Sequence, residues 1–148
     1  MATRIRRSSR RPATATFSVE IDGVTAAVFR EVSGLGLETE LVEMREGSGG
    51  GIRKVPGLMK FPNIVLKRGY TGNNELYDWA ASRTDRGDVT RRSVSITLTS
   101  GRRQIARWTV HRAWPVKWTG PSLNAAGTDV AIETSELAHE GITRDDDD

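Results

Sequence analysis

The chain has 148 residues, a formal net charge of +3, no cysteine and only two histidines, His111 and His139. Disulfides, thiolate metal sites and a histidine-rich metal centre are therefore excluded, and the length suits one ordinary hydrophobic core. Charge is concentrated at the ends: residues 1–12 hold Arg4, Arg6, Arg7, Arg10 and Arg11 with no acid, residues 145–148 are Asp145, Asp146, Asp147 and Asp148, and the remaining 17 bases and 15 acids nearly balance. The expected division is a basic arm (1–14), one β domain (15–142) and an acidic tail (143–148). Three readings of the arm stay open: a solvated tail, contact with another copy, or a nucleic-acid grip. No apolar run approaches the roughly 18 residues of a membrane span, and the arginine-rich start lacks the apolar stretch of a signal peptide.

From Phe17 the chain alternates, with Phe17, Val19 and Ile21 opposed to Ser18, Glu20 and Asp22. Period two predicts a half-buried strand, Asp22-Gly23 a tight turn, and "VTAAVFREV" its partner. "LETELVEMRE" (37–46) predicts a third strand with Glu38, Glu40 and Glu43 among apolar residues. It enters the glycine loop "EGSGGG", and "FPNIVLKRG" (61–69) is the expected return strand. These segments predict a long hairpin whose tip is Glu46, Gly47, Ser48, Gly49, Gly50, Gly51, Ile52 and Arg53. The glycines do not make a phosphate-binding loop, because no Ser or Thr follows Lys54 to hold magnesium.

"GNNELYDWAASRTDRG" predicts the one helix. Asn73 or Asn74 is its N-cap, Glu75 and Asp78 sit in the first turn, Arg83 and Arg86 lie toward its end, and Gly87 stops it. Leu76, Trp79, Ala80 and Arg83 fall on one stripe that packs on a sheet. In "RSVSITLTSG", Val94, Ile96 and Leu98 oppose Ser93, Ser95, Thr97 and Thr99; "RRQIARWTVHRAW" follows across a Ser100-Gly101 turn. Pro115 and Pro121 make "PVKWTGP" an edge or irregular segment. The last strand, "DVAIETSELAHEGI", is apolar at Val130 and Ile132 and shifts phase at Leu137, as a bulge would cause. The tally is seven or eight strands and one helix.

No catalytic constellation is present. There is no G-x-S-x-G, no H-E-x-x-H and no EF-hand loop, and His111 and His139 stand 28 residues apart. Neither an enzyme nor a cofactor is expected. Glu38 and Glu40 point to one side of a strand, which fits either a raised-pKa pair or a wet face. Trp79 and Trp108 read as core, whereas Trp114 and Trp118 fit core or a base-stacking surface. Long polar-faced hairpins exceed what one chain this size can cover. Their unpaired edges invite another chain, and a ring of copies would remove them.

Residues 17–142, and above all "RKVPGLMKFPNIVLKRGYTGNNELYDWA", resemble the tail tube proteins of contractile phage tails and phage-tail-like contractile injection systems, the T-even phage tail tube family. The residues that carry the likeness are Pro56-Gly57 before the strand, Lys60, Lys67-Arg68-Gly69, Leu76 and Trp79. The resemblance implies a mainly β fold: an antiparallel β-sandwich or barrel with one flanking α-helix and a long protruding β-hairpin, closing into a β-barrel tube on oligomerisation. It further implies hexameric rings stacked in a contractile sheath, with baseplate, hub and tail-terminator proteins as partners and toxin protein or DNA as cargo. Such a subunit would assemble in the cytoplasm and then form part of a phage tail or injection particle. The hairpin tip would reach an adjacent ring or subunit. Glu38, Glu40, Ser95 and Thr97 are the expected lumen-facing residues, and Arg4, Arg6, Arg7 and Asp145 to Asp148 the expected tail contacts between rings. The alternatives are a tube-initiating or baseplate paralogue, or a nucleic-acid-binding module using the arm.

Overall fold

The computed structural model describes residues 15–22, 24–122 and 131–145; the arm, Val130 and Asp146 to Asp148 lie outside them. Ten strands and one helix are described: β1 (Ala15–Ile21), β2 (Val24–Phe29), β3 (Glu31–Ser33), β4 (Glu38–Arg45), β5 (Ile52–Lys60), β6 (Ile64–Gly69), α1 (Glu75–Ala81), β7 (Arg92–Ser100), β8 (Arg103–Thr119), β9 (Ile132–Ala138) and β10 (Gly141–Arg144). Eight strands form one antiparallel sheet in the order β2-β1-β7-β8-β9-β6-β3, with β10 also on β8; β4 and β5 form a separate ribbon. β2 and β3 stand at opposite ends of that order, yet only Arg30 separates them in sequence. Its N–H donates to Lys67 O at 2.9 Å, so the sheet rolls back over its own apolar face.

The alternation seen in sequence fixes which face is inside. Val19, Ile21, Val94, Ile96 and Val110 are buried beneath Leu66, Ile64 and Leu137 from the other half of the roll. The first hairpin forms as expected, with Phe17 opposite Phe29 and Val19 opposite Ala27. "VTAAVFREV" is, however, two strands: β2 pairs with β1, and β3 pairs with β6. The bend at Arg30 lets one run of sequence serve both halves of the roll.

Three further expectations are corrected. The return strand of the long hairpin is not 61–69 but β5, which pairs Glu38 with Lys60 and Arg45 with Ile52. Pro56 and Gly57 therefore lie inside a strand, and "IVLKRG" belongs to the main sheet between β3 and β9. Phe61-Pro62-Asn63 separates the two, since a proline cannot donate to a ladder. The helix stops at Ala81, because Ser82 turns to an extended conformation (ψ 145). Arg83 and Arg86 thus fall outside it, and Gly87 closes a later turn with its N–H on Thr84 O. Its N-cap is Asn74, while the Asn73 side chain accepts the Glu75 N–H at 2.9 Å. Leu76 and Trp79 are buried as predicted, and the Trp79 indole donates to Thr90 O at 2.8 Å.

The last correction concerns β8 and β9. β8 runs unbroken through Pro115 to Thr119, because beyond Ala113 it has left β7 and needs only β9 as partner. The bulge lies on β8 at Val116, between the Pro115–Leu137 and Lys117–Glu136 pairs. β9 itself pairs with β6 without a shift, so Leu137 is in phase with Glu133 and Ser135, and all three are buried. Ile132 is only half-buried. A polar face thus enters the core where the apolar residue seemed to mark the inside.

Candidate assembly surfaces

The open face of the main sheet is a carpet of small hydroxyls. Register places Thr16, Ser18 and Glu20 of β1 beside Thr99, Thr97 and Ser95 of β7, and Thr97 and Ser95 beside Arg107 and Thr109 of β8. Thr143 of β10 extends the row beyond Thr109. The groups satisfy one another: Thr16 Oγ1 and Thr99 Oγ1 lie 2.9 Å apart, His111 Nε2 is 3.0 Å from Thr143 Oγ1, and Thr109 donates to Asp145 Oδ2 at 2.8 Å. Asp145 is also 3.7 Å from Arg107 Nε, and its N–H donates to Arg107 O. His111 is thereby a sheet-face hydrogen-bonding residue. His139 bonds Pro62 O at 3.0 Å and the backbone of Gly141. Val94 and Ile96, at 0% exposure, lie directly behind this face.

The β4–β5 ribbon has the opposite character. Nearly every residue is exposed, including Leu41 (60%), Met44, Ile52, Leu58 (72%) and Met59, as is Leu37 just before it. Leu41, Pro56 and Ile52 share one face, while Glu38, Glu40, Val42 and Met44 share the other. Glu38 and Glu40 therefore sit on the ribbon and not beside Ser95 and Thr97. The tip spans 46–51, with Ile52 and Arg53 already in β5. Gly47 (φ 52) and Gly49 (φ 105) take the left-handed backbone that side chains disfavour, and the Arg53 guanidinium closes the turn on Glu46 at 2.8 Å.

Gly57 sits where a side chain has little room. β5 has one residue more than β4 between the Thr39–Met59 and Leu41–Pro56 pairs, a bulge at which a Cβ on Gly57 would meet Val42 Cγ2 at 2.9 Å and Glu40 O at 3.3 Å. Gly57→Ala is expected to cost about 1 kcal/mol, the low end for overpacking because Val42 is half-exposed. The loss should be local. Proteolysis within 38–60 should accelerate several-fold while the circular dichroism melt of the main sheet stays put; a matching fall in the melt would contradict this.

The remaining motif residues divide by role. Lys60 ends β5 opposite Glu38, Lys67 lies 3.7 Å from Glu31, and Gly69 ends β6. Arg68 is different: 7% exposed, it is ion-paired through Nε to Glu133, itself 1% exposed, and its guanidinium lies 5.3 Å from the Phe29 ring centroid. Glu133 Oε2 accepts the Trp118 indole N–H at 3.0 Å. Trp118 packs edge-on against Tyr77 of α1, at 5.1 Å between ring centroids, so a buried charge pair, an aromatic pair and the helix form one unit. Sequence reading missed Glu133; the available signal was an acid and a serine alternating in phase with Leu137. Trp118 is thus part of the protein's own packing, and Trp114 carries the Arg91 guanidinium at 5.5 Å.

Among the described residues no helix is long and apolar enough to cross a membrane, and no cluster of acids and histidines could hold a metal. No protein of curated function matches the chain in sequence. Solved structures do. The chain is 27% identical to one in the sheath–tube complex of the extracellular contractile injection system PVC, with a TM-score of 0.77 over 98% of this chain and 99% of that one. It is 30% identical to one in the anti-feeding prophage tube-terminating cap, with a TM-score of 0.76 over 87% of each. Hcp1 from Flavobacterium johnsoniae, at 17% identity and a TM-score of 0.55 over 87% of this chain and 94% of its own, shares the fold. The family model for T4-like virus tail tube protein gp19 matches residues 13–143, and the chain is a tube-type structural protein belonging to that tail tube family.

Proposed function

We propose that this chain is the repeating subunit of an inner tube: six copies close a ring, rings stack into a hollow conduit, and a contracting sheath drives the conduit through a target envelope. The observation that carries the reading is the two-sided sheet. One face is sealed by the core, the other is a hydrated Ser/Thr surface, and its outer strands β2 and β10 each have only one strand partner among the described residues. Such a face suits a water-filled channel, and two edges suit closure of a ring from several copies. Ser95 and Thr97 then line the lumen, past which toxin protein or DNA travels, while Glu38 and Glu40 lie at the base of the ribbon that contacts a neighbour. The working unit is the β domain from Ala15 to the end of β10 at Arg144, with a charged segment on either side. Its further partners are the sheath, baseplate, hub and terminator proteins, with assembly in the cytoplasm before the particle is released or fired. It performs no catalysis.

The absence of cysteine makes the lumen assignment testable. Thr97→Cys should react with a small maleimide in subunits and tubes alike, but with a polymer-linked maleimide too bulky to enter the channel far more slowly in tubes. Equal polymer labelling in both states would place this face outside. The likeness to a chain in a tube-terminating cap favours one second reading, a subunit confined to the end of the tube. Copy number decides: a repeating subunit is present in many rings along the tube, and an end piece in a single ring at its end.

A further inference from the structure

We propose that the cleft between α1 and the end of β8 receives the acidic residues Asp146 to Asp148 of a second copy in the adjacent ring. This rests on the tube reading above. The cleft, of about 220 Å³, is lined by Tyr77, Ala80, Arg83, Val116, Lys117 and Trp118. Its floor is fixed, because Trp118 is held by Glu133 from behind and by Tyr77 from the side. Its lips are cationic. Lys117 is exposed and makes no ion pair among the described residues, while Glu136, opposite it in register, accepts from Asn63 at 3.0 Å. Arg83 is oriented by its Nη1 donating to Ala80 O and Ser82 O, which leaves the guanidinium at the rim. A pre-set aromatic floor between two cations is suited to a short carboxylate-rich segment, with carboxylates on the cations and the intervening backbone over the rings.

The topology supplies the occupant. β10 runs antiparallel to β8 and delivers Asp145 to Arg107, near the start of β8. Ala15, the first residue of β1, pairs with Ser100 at that same end of the sheet. Ala15 and Asp145, the described residues next to the basic arm and the acidic run, thus lie toward one end of the sheet. The cleft opens at the other end of β8, ten residues beyond Arg107, or about 33 Å of extended chain. Three residues cannot span that within one subunit. In a head-to-tail stack, however, the end carrying the acidic run of one copy faces the end carrying the cleft of the next, and each level of the tube repeats the contact.

Three variants test this in the full chain, with circular dichroism confirming the fold of each. Changing Asp146 to Asp148 to asparagine should shorten tubes several-fold at low salt and remove most of their salt sensitivity, since contacts across more than about 8 Å are already screened at physiological salt. Lys117→Glu should do the same. Combining Lys117→Glu with lysines at 146–148 should restore long tubes. If the asparagine variant builds tubes of unchanged length and salt dependence, or the swap fails to rescue, the pairing is overturned and the tube reading stands. If Lys117→Glu leaves stacking intact but detaches the sheath, the cleft serves that protein and the assignment to a second copy is wrong. If the unaltered chain forms no stacked rings, the tube reading itself has failed and this inference falls with it.

Discussion

Glu133→Ala is expected to lower the unfolding free energy by about 3–5 kcal/mol, because it strands the Arg68 guanidinium in the core without its counter-charge. The surroundings give little relief: Arg68 and Glu133 are nine-tenths or more buried, Arg68 Nη2 has no hydrogen-bond partner among the described residues, and the Trp118 indole would lose its acceptor. A domain stabilised by roughly 5–15 kcal/mol would lose a large share of its margin. Removing both charges should hurt far less. Arg68→Met with Glu133→Leu keeps volume while abolishing desolvation, and such replacements are often neutral. Urea titration of the single and double variants decides. A double variant as unstable as Glu133→Ala would show that the pair contributes more than charge cancellation, and a stable single variant would show that water reaches the site.

The second large effect concerns assembly. Deleting residues 47–51 should leave the melt of the subunit within about 0.5 kcal/mol of the parent, the usual range for surface changes, while abolishing stacked tubes. The main sheet does not use the ribbon: β4 and β5 pair only with each other, and their apolar side chains face outward. Leu41, Met44, Ile52, Leu58 and Met59 are exposed on this two-stranded arm, and exposed apolar area of this kind is what a partner site would use. Circular dichroism and sedimentation should therefore part company. Loss of fold in step with loss of the oligomer would mean that the ribbon belongs to the folding unit.

Where alternation was clean, the fold could be read directly. β1 and β7 announce both their strand character and their buried faces, because Val19 and Ile21 alternate with Ser18, Glu20 and Asp22, and Val94 and Ile96 with Ser and Thr. The register of the ribbon is less legible: residues 52–60 contain Pro56, Gly57 and three cations, a poor strand by propensity, so the stronger strand "IVLKRG" reads as the natural partner of β4. Pairing was decided instead by proximity across the glycine turn. Leu137 suggests a bulge because an inward Ile132 puts Glu133 and Ser135 outward; only the cross-strand partner Arg68 makes an inward glutamate tolerable, and a partner 65 residues away leaves no local trace. The helix overran in the reading because Arg83 and Arg86 suit a helix end, whereas Ser82 leaves the helix first. Of the surfaces, the Ser/Thr face and glycine tip were visible as patterns, but the cleft at Lys117 was not, since it exists only where α1 meets the end of β8.

The most direct test of the account is electron microscopy of the purified full chain, concentrated alone and co-produced with its sheath. The account predicts hollow six-fold rings stacked into tubes, with the Ser95–Thr97 face toward the channel and the β4–β5 ribbon bridging neighbours. A chain that remains a monomer at every concentration, and still forms no ring in the presence of the sheath, would contradict it.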